Sequence, residues 1–183
     1  MENKNIYYIG IGASAGGLEA IQDFFDFMPE DTDMVFIVVQ HLAPDYKSLM
    51  DEILARHTKM NIKVISNGME TIPNHIYLIP AKHNLHMKNG KLYLEKYQNK
   101  TGLNLPIDTF FKSLAIDKKE KSVGIILSGT GSDGAIGVRA IKEYGGLVLA
   151  QDTKSAKFDG IPKSTIATGV IIYFIQKICQ KNC

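Results

Sequence analysis

What most constrains the fold of this 183-residue chain is a series of short, unbroken apolar runs separated by stretches of helical spacing. Ile6–Ile11, Met34–Val39, Ile62–Ile65, Val123–Leu127 and Leu147–Ala150 are rich in β-branched residues and do not alternate with polar ones. That is the pattern of parallel strands covered on both faces. Between the runs, apolar residues recur at three- and four-residue spacing over Leu18–Phe25, which ends before Pro29, and over Asp45–His57. Asp108–Ile116 and Ala135–Tyr144 repeat the pattern, the latter stopped by Gly145-Gly146. Strand and helix in alternation specify β-α-β units. One interruption stands out: Asn84–Met87, then Asn89-Gly90, then Lys91–Glu95 spells a hairpin with a two-residue turn. Ile76–Ile79 reads as a short strand feeding that hairpin, and a last strand is expected around Val170–Phe174. The expectation is a doubly wound α/β domain, its mainly parallel sheet flanked by helices, with an antiparallel hairpin inserted midway.

Composition narrows the function classes. Hydrophobic content of 45% and charged content of 22% suit one globular domain over residues 1–183. A net charge of +2, with no basic cluster interleaved with aromatics, argues against nucleic acid. The apolar runs are too short to span a bilayer, so no membrane insertion is expected. Cys179 and Cys183 are the only cysteines, which fits a reducing cytoplasm better than a disulfide framework.

Chemistry is expected beyond the carboxyl ends of the parallel strands. The first strand runs into Gly12-Ala13-Ser14-Ala15-Gly16, the G-x-S-x-G pattern of a serine on a sharp strand-to-helix turn. The second delivers Gln40-His41, and Val123–Leu127 delivers Ser128-Gly129-Thr130-Gly131-Ser132-Asp133-Gly134. Serine, histidine and aspartate at one sheet edge are the set needed for nucleophilic acyl transfer, since an imidazole must take the hydroxyl proton and a carboxylate must orient the imidazole. Other readings compete. Ser14 and Asp133 could simply cap the helices that follow them. Gly10, Gly12 and Ala15 also satisfy a dinucleotide fingerprint, and Gly129–Gly134 reads G-x-G-x-x-G, so a phosphate cradle stays open. Against it, no acidic residue ends the second strand, and Asp133 would oppose a bound phosphate. His83 and His86 lack a carboxylate or cysteine at ligand spacing, so no metal and no cofactor are expected.

These residues, together with Gln40-His41-Leu42-Ala43-Pro44, Ile76–Ala81, Ala150-Gln151-Asp152 and Phe158–Ser164, resemble the catalytic domain of CheB-type protein-glutamate methylesterases. Pro106–Phe111 and Ala135–Lys142 look most like modules fused to a CheR-type methyltransferase. The resemblance implies a triad of Ser14, His41 and Asp133, with the backbone N–H groups of Ala15 and Thr130 facing the oxyanion. It implies hydrolysis of methylated glutamates on the cytoplasmic helices of chemoreceptors, and deamidation of receptor glutamines. No receiver domain is expected in this chain, and a methyltransferase or a regulatory protein is a further partner consistent with the resemblance. The chain departs from the family at Ala15, where many members carry Thr or Ser, and at Thr130, where Met is common. A non-catalytic regulatory module of the same fold is the remaining alternative.

Overall fold

The computed structural model describes residues 6–40, 50–97 and 104–171, and the backbone of 173–175. Strand β1 (Tyr8–Ala13) leads into helix α1 (Gly17–Asp26), and β2 (Val35–Gln40) is followed by α2 (Met50–Leu54). Then come β3 (Asn61–Val64), β4 (Met69–Glu70), β5 (His75–Leu78), β6 (His83–Lys88) and β7 (Lys91–Lys96). Helix α3 (Pro106–Lys118) precedes β8 (Ser122–Ile126), α4 (Ala135–Glu143), β9 (Leu147–Gln151), α5 (Gly160–Ile166) and β10 (Tyr173–Ile175).

Seven strands form one sheet in the order β10-β9-β8-β1-β2-β5-β3, and every pairing in it is parallel. The expected doubly wound architecture is thus observed. Successive side chains of a strand face opposite sides, and β2 shows how the sheet is covered. Val35, Ile37 and Val39 pack with Phe110, Phe111 and Leu114 of α3, while Phe36 and Val38 pack with Ile21 and Phe25 of α1. Each such fully buried side chain contributes about 1.5–3 kcal/mol. Glycine makes the α3 side closer still: a Cβ on Gly12 of β1 would lie 2.5 Å from Ile107 Cγ2.

The hairpin forms as expected, with Asn89 (φ 51°) and Gly90 (φ 75°) both in the left-handed region that its tight turn demands. Two readings change. The short strand expected at Ile76–Ile79 forms as β5 (His75–Leu78) just before the hairpin, but it pairs between β2 and β3 in the parallel sheet and not with the hairpin strands. Instead the unanticipated β4 joins β7 and β6 in a three-stranded antiparallel sheet. Nor is β3 fully covered: as the outermost strand it leaves Val64 exposed. The first half of the helix expected over Asp45–His57 lies outside the described residues, and α2 supplies its centre.

Candidate active site

Three neighbouring strands end at one edge. Ala13, the last residue of β1, lies in register beside Gln40, the last of β2, and Gly12 lies beside Ile126, the last of β8. The loops carrying Ser14 and Asp133 therefore leave adjacent parallel strands on the side where ligands of such sheets bind. His41 follows Gln40 directly but lies outside the described residues.

Ser14 is half-buried and tied down by its backbone. Its N–H donates to the Ser128 carbonyl at 3.0 Å, and its own carbonyl accepts from Gly17 N–H at 2.9 Å. It does not cap the helix behind it. Helix α1 begins at Gly17, not at Ala15, and its N-cap is Gly16 (φ 67°), which makes no side-chain cap bond. The two motif glycines thus serve separate ends: Gly16 supplies the left-handed turn, Gly12 the close approach of α3. Gly129 also passes close, since a Cβ there would stand 3.0 Å from the Ser14 Cβ.

Asp133 is buried, 8% exposed, and it does not cap its own helix either. The N-cap of α4 is Gly134 (φ 99°), without a side-chain bond. The Asp133 carboxylate reaches instead to the start of α3, where Oδ2 accepts from Ile107 N–H at 3.0 Å and Oδ1 from Asp108 N–H at 2.9 Å. Those donors are orphans of the first helical turn, and the positive end of the helix favours an anion there. The Asp133 carboxylate thus serves as the anion at the start of α3.

The loop between Ser128 and Asp133 is braced from behind. Gln151 Oε1 accepts the Ser128 N–H at 2.8 Å, and Ser128 Oγ donates to the Ala15 carbonyl at 3.0 Å and accepts from Phe158 N–H at 3.0 Å. Gly129 exchanges backbone bonds with Phe158 and Ile161 at the start of α5. Gly160 lets α5 approach: its Cβ would lie 2.9 Å from Gly131 N. Thr130 is exposed at the tip of this loop, and neither its N–H nor that of Ala15 donates to another backbone carbonyl among the described residues. Beside Gln40, a cavity of about 80 Å³ is lined by Ile79, Lys82, His83, Tyr97 and Pro106.

The remaining histidines have separate surroundings. His83 and His86 lie three residues apart on β6, hence on opposite faces. His83 Nδ1 pairs with the Ala81 carbonyl at 2.8 Å, and His86 Nε2 with Glu95 Oε2 at 3.2 Å. His57 Nδ1 meets Asp26 Oδ1 at 2.8 Å. The bracing residues Gln151 and Gly160 were not singled out from the sequence as supports. Asp108 was read as the start of a helix and as part of the Pro106–Phe111 motif, not as a support for the site, although the spacing Pro106-Ile107-Asp108 is a first-turn signal.

Comparison with known proteins identifies the family and the fold. The family model described as CheB methylesterase matches residues 9–181. A protein-glutamate methylesterase/protein-glutamine glutaminase of Thiobacillus denitrificans is 36% identical over 163 residues, covering 87% of this chain and 46% of that protein. An uncharacterised 104.1 kDa protein of Rhodobacter capsulatus is 43% identical over 122 residues, 67% of this chain and 13% of that one. The chain thus spans less than half the length of these relatives. The crystal structure of the Thermotoga maritima CheB methylesterase catalytic domain superposes with a TM-score of 0.85 at 28% identity, covering 93% of each chain. None of these matches favours a nucleotide-binding module.

Proposed function

Because the chain belongs to the CheB methylesterase family, we propose that it hydrolyses glutamate γ-methyl esters on chemoreceptors, releasing methanol, and deamidates receptor glutamines. The reading rests chiefly on one observation: Ser14 and Asp133 leave neighbouring strand ends, within the span matched to the family. In the proposed mechanism His41 takes the Ser14 proton as Oγ attacks the ester carbonyl, and Asp133 holds the imidazole in its productive tautomer. The tetrahedral oxyanion is received by the N–H groups of Ala15 and Thr130; a single such donor is worth ~3 kcal/mol. Collapse breaks the C–OCH3 bond, His41 returns the proton to methanol, and an acyl-serine remains. Water then adds to the acyl carbon, giving its proton to His41, and the free carboxylate leaves as Ser14 regains its hydrogen.

The fixed carboxylate supports this assignment. Two backbone donors hold Asp133 in one orientation, so it has little freedom to lose when it orients a ring. Receptor helices are the proposed partner, with the Thr130 loop and the cavity beside Gln40 forming walls of the substrate cleft. The test is methanol release from a methylated chemoreceptor fragment. Ser14→Ala is expected to lower kcat at least about a thousandfold, the scale of losing a triad nucleophile. Wild-type methanol release by that variant would remove Ser14 from the mechanism. An active-site serine probe that labels the wild type but not Ser14→Ala separates the enzyme from a non-catalytic module of the same fold.

A further inference from the structure

Helices α3 and α4 begin side by side, and each is capped by a carboxylate belonging to the other. Asp133, in the loop before α4, accepts from the first-turn N–H groups of α3. Asp108, in the first turn of α3, sends its side chain the opposite way: Oδ1 accepts from Gly137 N–H of α4 at 2.6 Å. We infer that Asp108 is a positioning residue for Asp133, clamping the two helix starts so that the Asp133 carboxylate keeps one orientation toward the reacting centre. This rests on the proposed role of Asp133 in ester hydrolysis.

Three observations carry it. First, Asp108 is attached to Asp133 from both ends. Its backbone N–H holds Asp133 Oδ1, and its side chain holds the turn of α4 that starts just after Asp133. A shift of Asp108 therefore moves both the carboxylate of Asp133 and the backbone carrying it. Second, the contact requires glycine on the far side. A Cβ on Gly137 would stand 2.6 Å from Phe111 Cβ and 3.1 Å from Asp108 Cα. Third, the arrangement is expensive. Asp108 is 2% exposed, and its Oδ2 is buried without a hydrogen-bond partner among the described residues. Capping alone needs one acceptor oxygen, which Ser, Thr or Asn supplies without burying a second unmatched one.

The experiment compares Asp108→Ala, Asp108→Asn and Asp133→Ala by methanol release from a peptide bearing a glutamate γ-methyl ester, with melting temperature as the control for folding. Asp108→Ala is expected to lower kcat about 10- to 100-fold with KM within about twofold, the scale of an ångström-level misplacement in a reacting set. The acid limb of its kcat profile should also move to lower pH, because a displaced Asp133 stabilises the imidazolium less. Asp108→Asn keeps an acceptor for Gly137 N–H and is expected within about threefold of wild type, as the same hydrogen bond is retained. A folded Asp108→Ala protein with wild-type kcat and an unmoved limb would overturn the clamp. So would a folded Asp108→Asn protein losing as much as about tenfold, an outcome that decides the matter even where the alanine variant does not fold. Full activity in Asp133→Ala would instead defeat the triad reading on which the clamp depends.

Discussion

At the residue scale the site is a problem of distances that only small groups solve. The Ser128 carbonyl takes the Ser14 N–H, so the chain after β8 must run alongside the serine rather than past it. Gly129 makes that feasible, and alanine in its place would meet Ile161 Cδ1 at 2.5 Å and Ser14 Cβ at 3.0 Å. The isoleucine tip can rotate away; the serine cannot, because its backbone is bonded on both sides. Gly129→Ala is therefore expected to cost about 1–3 kcal/mol of stability, as overpacking does, and to lower kcat by about tenfold or more as Ser14 is pushed off line. Denaturant unfolding together with ester turnover checks both. A loss of stability with unchanged kcat would mean that Ile161 absorbs the whole displacement.

At the element scale, what the sequence made legible and what it hid have different physical causes. Unbroken apolar runs located β1, β2, β8 and β9, and β1, β2 and β8 are covered on both faces, where polar residues are excluded. Asn89-Gly90 likewise announced its turn, since both residues must take positive φ. Capping misled. Ser14 and Asp133 each precede a helix, yet glycine caps both helices and the carboxylate of Asp133 serves α3, a partner chosen by packing rather than by proximity in sequence. The partner strands of β5 were hidden for the same reason. A four-residue apolar run does not state which neighbours it will have, and two-residue β4 carries no periodicity at all. His41 was located by following β2 to its end, and its surroundings lie outside the described residues. The turn offers a prediction at this scale. Gly90 (φ 75°) has open space except for Lys118 Nζ at 3.4 Å, so Gly90→Ala is penalised by backbone conformation and not by collision. A loss of about 1 kcal/mol is expected, with kcat unchanged, because the turn lies beside Lys118 at the end of α3 opposite the one that Asp133 holds; urea unfolding and ester turnover measure the two.

At the scale of the whole molecule, the sheet order explains why distant loops could share one reaction. Beyond β1 the chain adds β2 and β5 on one side and β8 and β9 on the other, so β1 marks the place where the winding reverses. Crevices form at such a reversal, and Ser14 is the first residue past it. Cohesion of the two sheets matters to that geometry, and Tyr77 joins them. It is fully buried on β5, and its hydroxyl accepts the Ile72 N–H at 2.8 Å in the connection from β4. Burial pushes the phenol above its ordinary value, and the Ile72 bond only partly opposes this. A group raised in the folded state stabilises the fold fully below its unfolded pKa, about 10 for tyrosine, and that contribution is lost as pH climbs through the folded value. Tyr77→Phe removes the titration and leaves the Ile72 N–H without its partner, at a cost of about 1–3 kcal/mol near neutrality. The stability gap between wild type and variant should therefore be widest at pH 7–9 and should shrink above pH 10, as measured by urea unfolding across that range. A gap that stayed constant into strong alkali would show that the Tyr77 hydroxyl does not link the stability of this fold to pH.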